Sequence, residues 1–432
     1  MMKPGSIQNY IRKRLALFGG YLVTGEGVRA IAKKIWGAYW KEFDRILGFA
    51  SREIYKRTVK TVPNKVFFFT QEMRYCCNPK YICQELLKRN DDVEIVWRIP
   101  DEASKGRGGV PYSVKVVRTG SFDFYKEFYS SSIIIANSYI FLDQVLLLKK
   151  EQTLIQTWHG SLGIKRFGKN DMKGHRRQLL ASILTGKMTD YCITNSSFVS
   201  GSLRNTFWEK TPMLEYGHPR NDIMFDNYAE KRACIKQDFL EKYKLDESLK
   251  FVMYAPTFRD DKTFDCYDID YDRLTAALAE RFGGQWCVLL RFHPSLRAVY
   301  KERSRNMGQY ECIIVDVTQY DDMQELITVA DIAITDYSSW IYDFMLQRRP
   351  GFIFATDIDL YNNERGFCYP LETTPFPIAV NNEELICNVL EFDNEDYLRK
   401  LEAFLEEKGC VEDGHTSERV VDKVLELMTQ AK

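Results

Sequence analysis

Residues 153–168 read TLIQTWHGSLGIKRFG, and the way this stretch breaks decides how the rest of the chain is read. Its first six residues form a short β-branched and apolar run, the composition of a strand buried on both faces of a parallel sheet. The run stops at a histidine–glycine pair, with Lys165 and Arg166 just beyond. Open α/β sheets place ligands beyond the carboxyl ends of their strands, in the loops that lead to helix N-termini. The fold therefore turns on whether similar runs recur on either side.

Strand-like runs do recur, at VFFF (66), VEIVWRI (93), VKVV (114), SIIIAN (132) and YCIT (191). Helix-like stretches lie between several of them, at 79–90, 121–131, 174–187 and 197–207. After the charged segment YAEKRACIKQDFLEKYKL the alternation restarts with KFVMYAP (250), WCVLLRF (286), ECIIVD (311), DIAIT (331) and PGFIFA (350). Helical segments of this second half are expected at 270–282, 321–330, 338–347, 382–408 and 416–429. Such alternation specifies βα units on a parallel sheet. Two successive sets predict an α/β chain of two Rossmann-like domains facing a cleft. The expected divisions are an arm over 1–62, an N-terminal domain over 63–228, a C-terminal domain over 229–410 and a last helix over 411–432. A length of 432 residues is too great for one ordinary core.

The net charge is zero, yet residues 1–62 carry +9 and the remainder −9. In the arm Ile31, Ile35 and Tyr39 recur every four residues among Lys33, Lys34 and Lys41, with Trp36 and Trp40 beside them. A basic amphipathic helix of this kind fits the headgroup layer of an anionic membrane, or a helix packed on its own domain with solvated lysines outside. No stretch has the ~18 uninterrupted apolar residues of a spanning helix. Eleven cysteines at irregular spacing, with no convincing secretory leader, point to a reducing compartment. The expected location is the cytoplasm, on the inner face of a membrane if the arm docks there. Basic residues cluster with aromatics only in the arm, which disfavours nucleic acid as a partner.

The unusual residues fall at strand ends. His159 follows TLIQTW, His218 follows MLEYG with Arg220 and Asp222 close behind, and His293 follows CVLLRF together with Arg291. Thr257 and Arg259 follow FVMYAP, and Asp336, Ser338 and Ser339 follow DIAIT. Parallel sheets would gather these groups in one cleft. Singly, each has an ordinary structural reading: a loop histidine, a surface ion pair, a serine that caps the helix SSWIYDFMLQ. Jointly they suit a diphosphate, with hydroxyls and N–H groups as anion donors, an arginine fork on phosphate oxygens, and an imidazole to accept a hydroxyl proton. Two D-x-D strings, at 268–270 and 357–359, read as turn or helix-start material, so no metal is expected. There is no Walker loop.

TWHGS, YGHPRND, YAPTFRD, RFHP and ITDYSSWIYDF, in this order, resemble the CDP-glycerol glycerophosphotransferases of bacterial teichoic acid and capsule synthesis. NPKYICQEL, ERGFCYPLE and EDGHTSERVV extend the likeness from about residue 64 to the C-terminus. The resemblance implies a GT-B type fold and transfer of a polyol phosphate from CDP-glycerol or CDP-ribitol to a hydroxyl of a lipid-linked or polymeric glycan acceptor, with release of CMP. It implies no cofactor, and a peripheral place at an anionic membrane surface. Carried over, His159 is the general base and His293 binds the donor diphosphate and eases departure of CMP. Ser338 and Ser339 cradle the phosphates; Thr257, Arg259, Arg291 and Asp336 line the donor side. Gly160, Ser161, His218, Arg220 and Asp222 line the acceptor side or the cleft. One departure stands out: family members often continue WHG with T/S-P-L-K, whereas here Ser161-Leu162-Gly163-Ile164-Lys165 follows. The short chain favours a primase or a transferase of one or few units. Two alternatives stay open, a CMP-sugar transferase of the same fold (polysialyltransferase-like) and a membrane-docked scaffold with a degenerate site.

Overall fold

A computed structural model describes residues 52–71, 74–89, 92–100, 107–140, 146–163, 165–166, 176–206, 208–259, 267–292 and 310–430. The basic arm before residue 52 and His293 lie outside them. The chain builds two sheets, and every strand pair in both is parallel.

The first sheet has seven strands in the order β3-β2-β1-β4-β5-β6-β7. These are β1 (Val62–Phe69), β2 (Glu94–Ile99), β3 (Lys115–Arg118), β4 (Ser131–Ala136), β5 (Thr153–Gln156), β6 (Tyr191–Thr194) and β7 (Met213–Glu215). Side chains alternate across β1: Val66 and Phe68 enter one apolar cluster, Phe67 and Phe69 the other. That two-sided burial is why the run reads as continuously apolar. Helix α1 (Cys77–Arg89) covers one face, and α2 (Phe122–Ser130) the other. Helices α3 (Arg176–Met188) and α4 (Ser197–Thr206) follow, before the 3-10 segment Pro219–Met224 leads out of the domain into α5 (Ala229–Tyr243).

The second sheet has six strands in the order β10-β9-β8-β11-β12-β13. They are β8 (Lys250–Tyr254), β9 (Trp286–Leu290), β10 (Ile313–Asp316), β11 (Ile332–Thr335), β12 (Gly351–Phe354) and β13 (Ile378–Ala379). Its helices are α6 (Tyr271–Phe282), α7 (Met323–Val329), α8 (Trp340–Phe344), α9 (Ile358–Arg365), α10 (Asn382–Leu390) and α11 (Asn394–Glu407). The periodicity over 382–408 predicted one helix; it is two, because Asp393 accepts from the N–H groups of Glu395 and Asp396 and starts a new one. Strand β13 and helix α9 were not anticipated. In each sheet the strand order reverses once, at β1/β4 and at β8/β11, and these are the switch points at which such sheets hold ligands.

The last helix, α12 (Thr416–Gln430), returns to the first domain. Val420, Val421, Val424, Leu427 and Met428 complete the apolar cluster under β1, β4 and α1. Across the domain junction a second cluster is shared: Tyr81, Trp158, Leu162 and Trp208 pack into the same core as Phe251, Tyr254 and Trp340. Lys80 of α1 reaches over the junction to Asp322 and Glu325, both at 2.6 Å, while Tyr81 donates to Asp322 at 3.3 Å. Burial works against the Lys80 charge, but the two carboxylates hold its pKa above the usual lysine value. Asp322 also caps α7 by accepting from the Gln324 N–H at 3.0 Å. Asp322→Ala should therefore lower stability by about 3 kcal/mol in urea unfolding at pH 7, because it removes a cap and a partner of a buried ammonium. An unchanged midpoint would show that the junction does not rely on this group.

Candidate active site

His159 owes its position to an unfavourable turn held from three sides. Past the end of β5 the chain enters the left-handed region at Trp158, with φ +52°. For a bulky L-residue this costs about 1–2 kcal/mol, so its neighbours must impose it. The buried Gln156 accepts from the Trp158 N–H at 2.9 Å and donates to the Ser138 carbonyl at 3.0 Å. Asn78, at the start of α1, donates to the carbonyls of Thr157 and Trp158 at 3.0 and 3.2 Å. The indole packs edge-on against Trp208 at 5.3 Å and beneath the imidazole of His159 at 4.5 Å.

The imidazole has one defined tautomer. Its Nδ1 lies 2.7 Å from the main-chain oxygen of Asn137, which can only accept, so Nδ1 carries the proton and Nε2 keeps a lone pair. Asn137 follows β4, and its side chain accepts from the Gln71 N–H beyond β1 at 2.8 Å, tying the base to the switch point of the first sheet. Burial lowers the His159 pKa, the hydrogen bond to Asn137 raises it in part, and the Arg220 charge lowers it again, to about 4. At neutral pH the ring is an uncharged base.

The opposite wall is the switch point of the second sheet. The Thr257 N–H donates to Asp336 Oδ1 at 2.8 Å, joining the ends of β8 and β11. Arg259 donates from Nη1 to Asp336 and to the Thr257 carbonyl, both at 2.8 Å. Its Nε and Nη2 grip Asp357 at 2.7 and 2.9 Å, and its plane lies over Tyr337 and Tyr361. Burial opposes this charge and two carboxylates more than restore it. The sequence suggested an arginine fork open to phosphate; here the fork is closed on Asp357, and Arg259 and Asp336 pair with each other. Arg291 donates from Nη1 to the carbonyls of Val317 and Tyr320 at 3.0 and 2.8 Å, at the ends of β9 and β10.

Ser338 and Ser339 behave differently. Both are half-buried, and neither hydroxyl makes a hydrogen bond among the described residues. Ser339 stands at the N-cap of α8 in αR geometry without a side-chain cap bond, so helix capping does not account for it. The loop after His159 lies directly against Ser339. A Cβ on Gly163 would stand 2.8 Å from that of Ser339, closer than real carbons approach. Two residues on, Lys165 Nζ lies 3.0 Å from Thr257 Oγ1. Arg166 donates to the Phe367 carbonyl at 2.9 Å, and Tyr369 to that of Leu162. The segment that departs from the expected pattern is therefore a bridge across the cleft.

Other expected residues sit elsewhere. A Cβ on Gly160 would meet the Trp158 indole, and the buried Ser161 accepts from Asn195 at 3.1 Å. His218, Arg220 and Asp222 do not line an open cleft; they are buried behind the base. Asp222 accepts from the N–H groups of Thr416 and Ser417, at 2.9 and 2.6 Å, and so anchors α12. Lys165, Asn78, Gln156 and Asp357 lie within the quoted strings, but their sequence context assigned none of them a place in the site. Of the two D-x-D strings, Asp270 caps α6 and Asp357 holds Arg259.

A family model described as CDP-glycerol:poly(glycerophosphate) glycerophosphotransferase matches residues 53–426, which take in both sheets and both walls of the cleft. The chain belongs to this family. Among glycerophosphotransferase relatives, it is 31% identical over 378 residues to the teichoic acid poly(glycerol phosphate) polymerase of Staphylococcus epidermidis, covering 81% of this chain and 48% of that protein. It is 25% identical over 394 residues to the teichoic acid glycerol-phosphate transferase of Staphylococcus aureus, covering 85% of this chain and 95% of that one. The chain thus spans about half the length of the first relative and nearly all of the second. A solved structure of the wall teichoic acid polymerase TagF superposes with a TM-score of 0.75 at 28% identity, over 91% of this chain and 98% of that chain. The two parallel-sheet domains thus have the GT-B-like arrangement of this glycerophosphotransferase family.

The tautomer can be read without turnover. Nitrogen-15 NMR of His159 should show a protonated Nδ1 and a free Nε2 from pH 8 down to about 5, with titration near pH 4. A ring that protonates above pH 6 would remove the lone pair from the place described here.

Proposed function

We propose that this chain transfers glycerol phosphate or ribitol phosphate from a CDP-alcohol to a hydroxyl of a lipid-linked or polymeric cell-surface glycan, releasing CMP. The observation that carries this reading is a neutral His159, its Nδ1 bound to Asn137 and its Nε2 unprotonated, on a turn whose following loop abuts Ser339; the hydroxyls of Ser338 and Ser339 have no hydrogen-bond partner among the described residues. Family membership supplies the substrate class.

In this mechanism the acceptor hydroxyl gives its proton to His159 Nε2 as its oxygen attacks the phosphorus on the polyol side of the diphosphate. The bond from that phosphorus to the bridging oxygen breaks, and CMP leaves with the electron pair. Phosphoryl transfer asks mainly for alignment and charge stabilisation. Ser338, Ser339 and Lys165 donate toward the phosphoryl oxygens; His293, which lies outside the described residues, would also bind the diphosphate. Arg259 acts by holding Thr257 and Asp336 in place. The reading calls for no bound cofactor or metal, and CMP release should persist in EDTA. The basic arm would hold the enzyme on the cytoplasmic face of the membrane.

The test is CMP release by the purified chain with CDP-glycerol, CDP-ribitol or a CMP-sugar and a panel of lipid acceptors. His159→Ala should lower turnover by about 10³-fold while leaving donor-induced thermal stabilisation in place. Wild-type turnover in that variant, or stabilisation by the CMP-sugar alone, would sink the reading. Gly163→Val should force the bridging loop off Ser339 and slow CMP release by about 10²-fold, with the melting temperature nearly kept. Full activity would show that the loop need not lie against the serines.

A further inference from the structure

The buried segment behind the base has a job that the sequence did not disclose. Arg220 is 4% exposed and sits between the two domains. Its Nη1 donates to the main-chain oxygen of His159 at 2.8 Å and to Cys77 Sγ at 3.4 Å. Its Nε and Nη2 both reach Asp343 Oδ2, at 3.1 and 3.0 Å. The Arg220 N–H donates to Asn78 Oδ1 at 3.2 Å, and Asn78 in turn holds the carbonyls of Thr157 and Trp158. Three consecutive carbonyls, those of residues 157, 158 and 159, thus hang from the Asn78–Arg220 pair.

Asp343 is engaged on several sides too. It is 3% exposed, four residues beyond Ser339 on α8, and it also accepts from Asn221 at 3.1 Å and from Gln324 at 3.0 Å. The turn that carries the base and the helix led by the serine pair therefore share one buried ion pair. We propose that Arg220 and Asp343 are positioning residues for the transfer reaction, fixing His159 at a set distance from the serine hydroxyls across the domain junction. The proposal rests on the reaction advanced above.

Stability is a poor explanation for such a pair, since desolvation of two buried charges consumes most of their attraction. Geometry is a better one. A guanidinium is a rigid planar fork that can grip a carboxylate on one edge and a carbonyl on another, which a lysine cannot do. The pair also acts on the base electrically. Around His159 the charged or titratable groups are Arg220 and His218 on the Pro219–Met224 side, Cys77 on α1, Asp343 on α8 and Glu412 on the return to α12. Of these, Arg220 is the one whose charge lowers the proton affinity of His159.

Three variants test this: Arg220→Lys, which keeps the charge and loses the fork; Arg220→Gln, which loses both; and Asp343→Asn, which keeps the shape. Each should lower kcat by about 10²-fold, the cost of a small misplacement, while KM for CDP-glycerol stays within about two-fold. In Arg220→Gln the acid limb of the kcat profile and the His159 NMR titration should both move to higher pH; in Arg220→Lys the limb should move less. Wild-type kcat in folded Arg220→Lys and Asp343→Asn, or an unmoved His159 titration in Arg220→Gln, would overturn the proposal. The NMR arm needs no turnover. If the wild type releases no CMP but His159 shifts in Arg220→Gln, the proposed reaction fails while the coupling stands.

Discussion

A tryptophan forced into the left-handed region one residue before the imidazole is the constraint on which the site depends. Without its neighbours a bulky residue such as Trp158 would favour an extended or right-handed backbone. It is kept in place by the Gln156 side chain, by Asn78 on a helix 80 residues earlier, and by the packing of its indole on Trp208. The same turn sets the tautomer, because it brings Nδ1 to a carbonyl that can only accept. Strain in the backbone, proton placement and the direction of the lone pair are thus one structural fact.

The two domains meet through charge as well as apolar contact. The shared cluster around Trp158 and Tyr254 supplies non-directional adhesion, which alone would allow sliding. Lys80 with Asp322 and Glu325, and Arg220 with Asp343, add directional contacts that fix the register of one domain on the other. Beyond the base, Gly163 lies against Ser339, Lys165 meets Thr257 and Arg166 meets Phe367. The turn that carries His159 is thereby held in a fixed relation to the helix led by the serine pair.

The electrostatics divide the labour among cations. Arg259 is saturated by two carboxylates and stiffens the donor wall, and Arg220 is saturated by Asp343 and the His159 carbonyl. Lys165 is the cation that the bridging loop brings to the Thr257 hydroxyl, beside the serine pair. A planar guanidinium suits the two framework positions, because it can grip a carboxylate on one edge and a carbonyl on another.

Local pattern was enough to establish the strands of both sheets apart from the two-residue β13, and to put His159, Thr257, Asp336 and the serine pair at strand ends. Buried parallel strands are continuous apolar runs, and their ends show as abrupt polar breaks, so this information is local. The arm before residue 52 and His293 remain as sequence readings, since both lie outside the described residues. What the chain order could not disclose is who partners whom. Arg259 looked like a phosphate fork until Asp357, nearly a hundred residues on, occupied it. His218, Arg220 and Asp222 looked like cleft residues until α12 and Asp343 closed over them. Asn382–Leu390 and Asn394–Glu407 looked like one helix until the Asp393 cap divided them. Periodicity reports which face of an element is buried; only tertiary packing decides which charge meets which, because those partners are brought together by domain closure and not by spacing along the chain.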